Sequence, residues 1–121
     1  MAVSVLVVDD DARFRSLAAR MLTADGMRVV GQVATVREAL ETVAQVRPDA
    51  VLVDVGLPDG DGLSLCRRLA ALPWRPRVVL TSSDRDVTTD EAALEAGAVG
   101  FVAKDDLPDA SLERMLAGGG A

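Results

Sequence analysis

A chain of 121 residues is one domain by length, long enough to bury a single core. Half of its residues are apolar and 26% are charged, the composition of an ordinary soluble globular domain. A formal net charge of −6 argues against nucleic acid binding by this domain itself, because a phosphate backbone needs a basic face. No apolar run approaches the length of a membrane span and the N-terminus enters a strand directly, with no signal-peptide pattern, so a cytoplasmic location with no membrane partner is expected. Histidine is absent, which removes His-based general base catalysis, His-ligated metals and a Ser-His-Asp triad. The single cysteine, Cys66, permits no internal disulfide and no thiolate zinc cluster; among Leu63, Leu65 and Leu69 it reads as a small buried hydrophobe.

An apolar run at about residues 3–8 predicts the first strand. After Asp9, Asp10 and Asp11, the spacing of Phe14, Leu17, Ala18, Met21 and Leu22 predicts a helix, ended by Asp25-Gly26, where a left-handed residue is wanted. Residues 27–33 predict a second strand, mixed in character and therefore nearer an edge. Thr35-Val-Arg-Glu38 matches a capping box for a second helix carrying Val36, Ala39, Leu40, Val43 and Ala44, which stops before Pro48. The Val-rich run from Val51 reads as a strand buried on both faces; it stops at one carboxylate, Asp54, and turns through Gly56, Pro58, Gly60 and Gly62. A third helix over about 63–72 is broken by Pro73-Trp-Arg-Pro76, and residues 77–80 lead a fourth strand to Thr81. Thr88-Thr-Asp-Glu91 offers a cap for a fourth helix closing near Gly97, whose few large apolar residues predict weak anchoring. A fifth strand is expected at about 99–103, and Pro108 fits the first turn of a last helix striped by Leu112, Met115 and Leu116. Five alternations of strand and helix predict an α/β fold, a doubly wound parallel sheet with helices on both faces.

Taken singly, the polar residues at the strand ends have structural readings: Asp9 or Asp10 as a cap of the first helix, Asp25, Asp49 and Asp61 as turn residues, Lys104 as a solvated lysine, Thr81 as a β-branched strand residue. Together they are two acids, an acid, a hydroxyl and an amine at the same end of four strands, where open α/β sheets bind their ligands. Asp9, Asp10 and Asp54 brought together repel one another and call for a cation, and an oxygen-rich site of this kind suits Mg²⁺. A carboxylate acts as a nucleophile toward phosphorus without a general base, which fits a chain without histidine. Lys104 and Thr81 supply an ammonium and a hydroxyl for the remaining phosphoryl oxygens.

The motifs Val8-Asp9-Asp10, Asp54-Val-Gly-Leu-Pro-Asp-Gly-Asp-Gly62, Leu80-Thr81-Ser82 and Gly97-Ala-Val-Gly-Phe101-Val-Ala-Lys104 resemble, over essentially the whole chain, the receiver domain of two-component response regulators. The resemblance implies the flavodoxin-like strand order 2-1-3-4-5. It implies that Asp54 is the phosphoacceptor for a phosphohistidine on a sensor histidine kinase or phosphotransfer protein. It also implies that Asp10 and Asp54 hold Mg²⁺ directly, Asp9 mainly through water and Gly56 through its backbone carbonyl. Thr81 and Phe101 would form the switch pair that reshapes the face made by the fourth helix, fifth strand and fifth helix to control an output. Such a domain catalyses its own phosphoryl transfer and loss and is not a turnover enzyme; homodimerisation on phosphorylation is compatible with the resemblance and decided by no residue.

Two departures from the family pattern matter. Asp105 follows Lys104 where many receivers have Pro after a cis bond, which leaves the isomer of Lys104-Asp105 open. Gly56 and Ser83 are small, and are expected to leave room for an attacking water and so to shorten the phosphorylated lifetime. Residues 1–117 are expected to be the receiver, with 118–121 a Gly-rich tail or the start of a linker; the ending resembles receivers joined to a C-terminal helix-turn-helix DNA-binding domain, and both a stand-alone receiver and a longer protein with such a domain are compatible with it. A haloacid-dehalogenase-type phosphatase would want a second acid where Gly56 stands, and a nucleotide-binding flavodoxin-like protein would want a Gly-rich loop after the first strand. The alternative left standing is a pseudo-receiver, a phosphorylation-independent protein-interaction module.

Overall fold

Apolar residues alternate between two faces along the inner strands, and this alternation builds the molecule. In the structure, a computed structural model that describes residues 2–84, 86–108 and 110–118, the strands are β1 (Ser4–Val8), β2 (Arg28–Val33), β3 (Ala50–Asp54), β4 (Arg77–Ser82) and β5 (Gly100–Ala103). They form one parallel sheet in the order β2-β1-β3-β4-β5, as expected, with β2 at an edge. The helices are α1 (Ala12–Ala24), α2 (Val36–Val46), α3 (Gly62–Ala70), α4 (Asp90–Glu95) and α5 (Ala110–Ala117). Val5, Val7, Ala50, Leu52, Val79 and Val102 face α1 and α5, joining Phe14, Ala18, Leu22, Leu112 and Leu116 in one core. Their neighbours Leu6, Val8, Val51, Val53, Val78 and Leu80 face α2, α3 and α4 in a second core. A strand buried on both faces reads as a continuous apolar run for this reason. Cys66 lies fully buried in the second core, and burial pushes its thiol up to about 11, so it is the inert small hydrophobe expected.

The helix ends correct several sequence expectations. Neither Asp9 nor Asp10 caps α1; Asp11 does, its Oδ1 accepting from Arg13 N at 2.9 Å. At α2 the box forms with a shift: Thr35 Oγ1 accepts from Glu38 N, while Glu38 Oε1 accepts from Ala34 N, one residue before the cap. Helix α3 ends at Ala70 rather than near Leu72, and Trp74 beyond it donates from Nε1 to Pro48 O while the Arg47 guanidinium lies 5.1 Å from its ring. Helix α4 is six residues long and capped by Thr89, not Thr88, so the third helical position is Ala92 and no acid closes a box. Only Ala93 of α4 is buried, consistent with weak anchoring. Gly97, at φ 93°, ends this turn where a side chain would come within 2.6 Å of Ala70 Cβ. Pro108 precedes the described start of α5 instead of lying within its first turn, and Asp109 between them is outside the described residues, as are residues 119–121 of the expected tail. Among the described residues the cis bond is Leu107–Pro108; Lys104–Asp105 is not cis.

Candidate functional site

The same alternation that builds the α1/α5 core aims the polar strand ends. Asp9 continues the series Val5, Val7; Asp54 continues Ala50, Leu52; Thr81 continues Val79; Lys104 continues Val102. Parallel pairing sets Asp54 opposite Thr81 and levels the ends of β1, β3, β4 and β5. Asp9 (1% exposed), Asp54 (7%) and Thr81 (0%) are buried, while Asp10 is exposed at the rim. One carboxylate oxygen from each of Asp9, Asp10 and Asp54 lies within 4.8 Å of the others.

Lys104, at the head of a 3-10 turn (Lys104–Asp106), bridges this cluster: its Nζ is 2.6 Å from Asp9 Oδ2 and 3.9 Å from Asp54 Oδ1. The contact with Asp9 is one of charge without hydrogen-bond geometry, and the buried Asp9 Oδ2 accepts no directed hydrogen bond. Oδ1 of Asp9 is engaged by Asp11 N at 2.8 Å. Burial first and the Asp9 charge second raise the Asp54 carboxyl, against the opposing Lys104 ammonium and Gly56 amide, to about 6. A buried carboxylate oxygen without a hydrogen bond, in an all-oxygen set with a second carboxylate that resists ionising, fits a hard divalent cation such as Mg²⁺.

The loop after Asp54 is a miniature hairpin in which Gly56–Leu57 pairs with Gly60–Asp61. Its outgoing strand delivers Asp61 as the cap of α3, accepting from Leu63 N at 2.9 Å. Gly62 N donates to Val55 O at 2.8 Å, and any side chain at 62 would collide with the Asp54 carbonyl oxygen and Val55 Cα, so this close return requires glycine. At the tip, Asp59 accepts from Val36 N (2.7 Å) and Arg37 N (3.1 Å), tying the loop to the start of α2. A side chain added at Gly56 would meet nothing within 4 Å, and Ser83 is exposed.

Thr81 Oγ1 donates to Val53 O at a long 3.5 Å. Phe101 pairs in register with Leu80 and packs, half-buried, on the α2/α3/α4 side, beside a cavity of about 350 Å³ that Asp90 and Met115 also line. Two residues near the site were not singled out for it from sequence. Phe14 was readable only as part of an apolar helix face, yet its ring centroid lies 4.3 Å from Lys104 Nζ. Asp59 carries no reading of its own within its motif, and nothing local signals its partner 23 positions earlier.

The response regulator receiver domain family matches residues 5–116. The DNA-binding transcriptional activator DevR/DosR of Mycobacterium tuberculosis is 43% identical over 108 residues, covering 85% of this chain and 48% of that protein. Protein-glutamate methylesterase/protein-glutamine glutaminase 5 of Myxococcus xanthus is 42% identical over 104 residues, covering 84% of this chain and 30% of that protein. The chain thus spans about half or less of these relatives' length. Among solved structures, the BeF3-activated N-terminal receiver domain of Klebsiella pneumoniae RstA superposes with a TM-score of 0.80 at 33% identity, covering 93% of this chain and 94% of that one. Among the described residues, no helix is long and apolar enough to cross a membrane.

Proposed function

The chain belongs to the response regulator receiver domain family of two-component signalling, and from that premise we propose that it is a phosphorylation-dependent switch with Asp54 as its phosphoacceptor. The observation that carries this reading is the convergence of Asp9, Asp10 and Asp54 with the Lys104 ammonium between two of them. Mg²⁺ bound there would keep Asp54 ionised and draw charge from the incoming phosphoryl oxygens. Asp10 and Asp54 would hold it directly, Asp9 through water, and Gly56 through its carbonyl.

Asp54 then attacks the phosphorus of a partner's phosphohistidine; the P–N bond breaks, and the imidazole leaves with its electron pair. Lys104, already 3.9 Å from Asp54 Oδ1, balances the charge that arrives. Thr81 has only a long bond to Val53 O to give up, so its hydroxyl is free to turn toward the phosphoryl group. The half-buried Phe101 ring would follow into the space the hydroxyl vacates, and α4, whose one buried residue is Ala93, is the element this would displace. Gly56 leaves open space next to the acceptor, which together with the small Ser83 favours access of water and a short phosphorylated lifetime.

The partner, a sensor histidine kinase or phosphotransfer protein, has a surface to seat on. An apolar groove of about 320 Å³, lined by Phe14, Leu17, Met21, Leu107 and Pro108, opens beside Lys104. Residues 1–117 would form the receiver and 118–121 a Gly-rich tail or the start of a linker; by likeness to the transcriptional activator DevR/DosR, the output would be control of transcription. The decisive experiment is intact mass spectrometry after incubation with Mg²⁺ and a small-molecule phosphodonor. A gain of one phosphoryl group, lost in Asp54→Asn and in chelator, is expected; a folded protein that gains nothing would refute the reading.

A further inference from the structure

We infer that Phe14 is a positioning residue for Lys104, its ring holding the ammonium beside Asp54 when Asp9 is engaged by a cation; this rests on the phosphoacceptor reading above. Among the described residues, Lys104 Nζ lies 2.6 Å from Asp9 Oδ2, 3.9 Å from Asp54 Oδ1 and 4.3 Å from the Phe14 ring centroid. The lysine side chain is only 14% exposed, so the ammonium has given up most of its water. A cation over an aromatic face is held most strongly under such desolvated conditions. The nearest of these groups, Asp9, is also the acid whose buried oxygen is without a hydrogen bond. A divalent cation drawn to Asp9 would repel the ammonium from it. The ring is the uncharged contact that survives that exchange.

Phe14 is itself fixed in place. It is 9% exposed, packs with Ala18 and Leu22 in the α1/α5 core, and its backbone N–H donates to the Asp11 cap at 3.4 Å. The N-cap of α1 therefore sets where the ring stands, and the ring sets where the lysine rests.

Two measurements test this. The first is a double-mutant cycle of denaturant unfolding in chelator, on F14L, K104A and the double variant. Leucine fills much of the same space without a π face, so loss of packing appears in both backgrounds and cancels. F14L is expected to reduce the folding equilibrium constant by about 2- to 5-fold more with Lys104 present than in the K104A background. The second is the rate of phosphoryl uptake from a small-molecule donor, which needs no docking groove. F14L should slow uptake about five-fold, F14Y should hold it near wild type, and F14L should add nothing to K104A. Equal costs in both backgrounds of the unfolding cycle, or unaltered uptake in F14L, would overturn the inference. Wild-type protein that takes up no phosphoryl group would instead overturn the phosphoacceptor reading, and the metal-free cycle would still decide whether the ring holds the ammonium.

Discussion

Lys104 is the counterion of Asp9 more than of Asp54: its Nζ is 2.6 Å from the one and 3.9 Å from the other. Asp9 is 1% exposed, and a buried carboxylate stripped of the one cation beside it among the described residues is costly. Lys104→Ala should therefore destabilise the metal-free protein by on the order of 3 kcal/mol, measured by urea unfolding in chelator. The same change removes a competitor for Asp9, so Mg²⁺ should bind K104A more tightly than wild type and restore much of the lost stability. Phosphoryl uptake should nevertheless fall, because the charge that meets the phosphoryl group is gone. Equal stability of K104A and wild type in chelator would show that the pair is not formed in solution.

The raised carboxyl of Asp54 makes stability depend on pH in a definite direction. At about 6, against 3.8 for an ordinary aspartate, the folded state binds this proton more tightly than the unfolded state does. The resulting stabilisation is complete below about pH 4 and is lost as pH rises through 6. Above that, ionised Asp54 costs the metal-free fold on the order of 3 kcal/mol at most. Asp54→Asn, nearly isosteric and never ionised, should be more stable than wild type by about that amount at pH 7.5 in chelator, and the difference should fade toward pH 4. Adding Mg²⁺ should close the gap from the wild-type side. Thermal melts of both proteins across this range check the sign; a variant less stable than wild type at pH 7.5 would contradict it.

Asp59 connects the loop after Asp54 to α2 by accepting from Val36 N and Arg37 N, and those amides hold its carboxyl below the usual range. Its contribution is therefore present at neutral pH and lost only as pH falls below about 4. Asp59→Ala should leave α2 intact, because Thr35 still accepts from Glu38 N. Amide exchange should accelerate at Val36, at Arg37 and across residues 55–62. Unchanged exchange in that loop would mean that the hairpin and the Gly62–Val55 bond hold it unaided.

How much of this was legible in the sequence follows from how local each signal is. Strands buried on both faces appear as unbroken apolar runs, and the polar residue that ends each run announces itself; Asp9, Asp54, Thr81 and Lys104 were found in this way. Three adjacent aspartates, by contrast, look alike. Backbone geometry separates them: Asp9 continues the inward alternation, Asp10 falls at the rim, and Asp11 takes the extended conformation that precedes a helix. Thr88 and Thr89 present the same ambiguity, resolved against the stronger-looking box because the helix starts one residue later. Asp59 and Phe14 were missed because their partners are contributed by distant parts of the chain, and pattern reading sees only neighbours.

Thr81 tests whether the switch can be separated from the chemistry. Its hydroxyl is fully buried, but its bond to Val53 O is 3.5 Å long, so little stability depends on it. Thr81→Val keeps the β-branched shape against the neighbouring strands and removes the donor. Unfolding should shift by less than about 1 kcal/mol, and Asp54 should still take up a phosphoryl group, somewhat more slowly for want of one donor. The response at Phe101 should be lost, since no hydroxyl turns to vacate space for the ring. Ring resonances of Phe101 in the phosphorylated and free states, compared between wild type and T81V, provide the readout. A ring that shifts equally in both would mean that Phe101 responds to the phosphoryl group through α4 and not through Thr81.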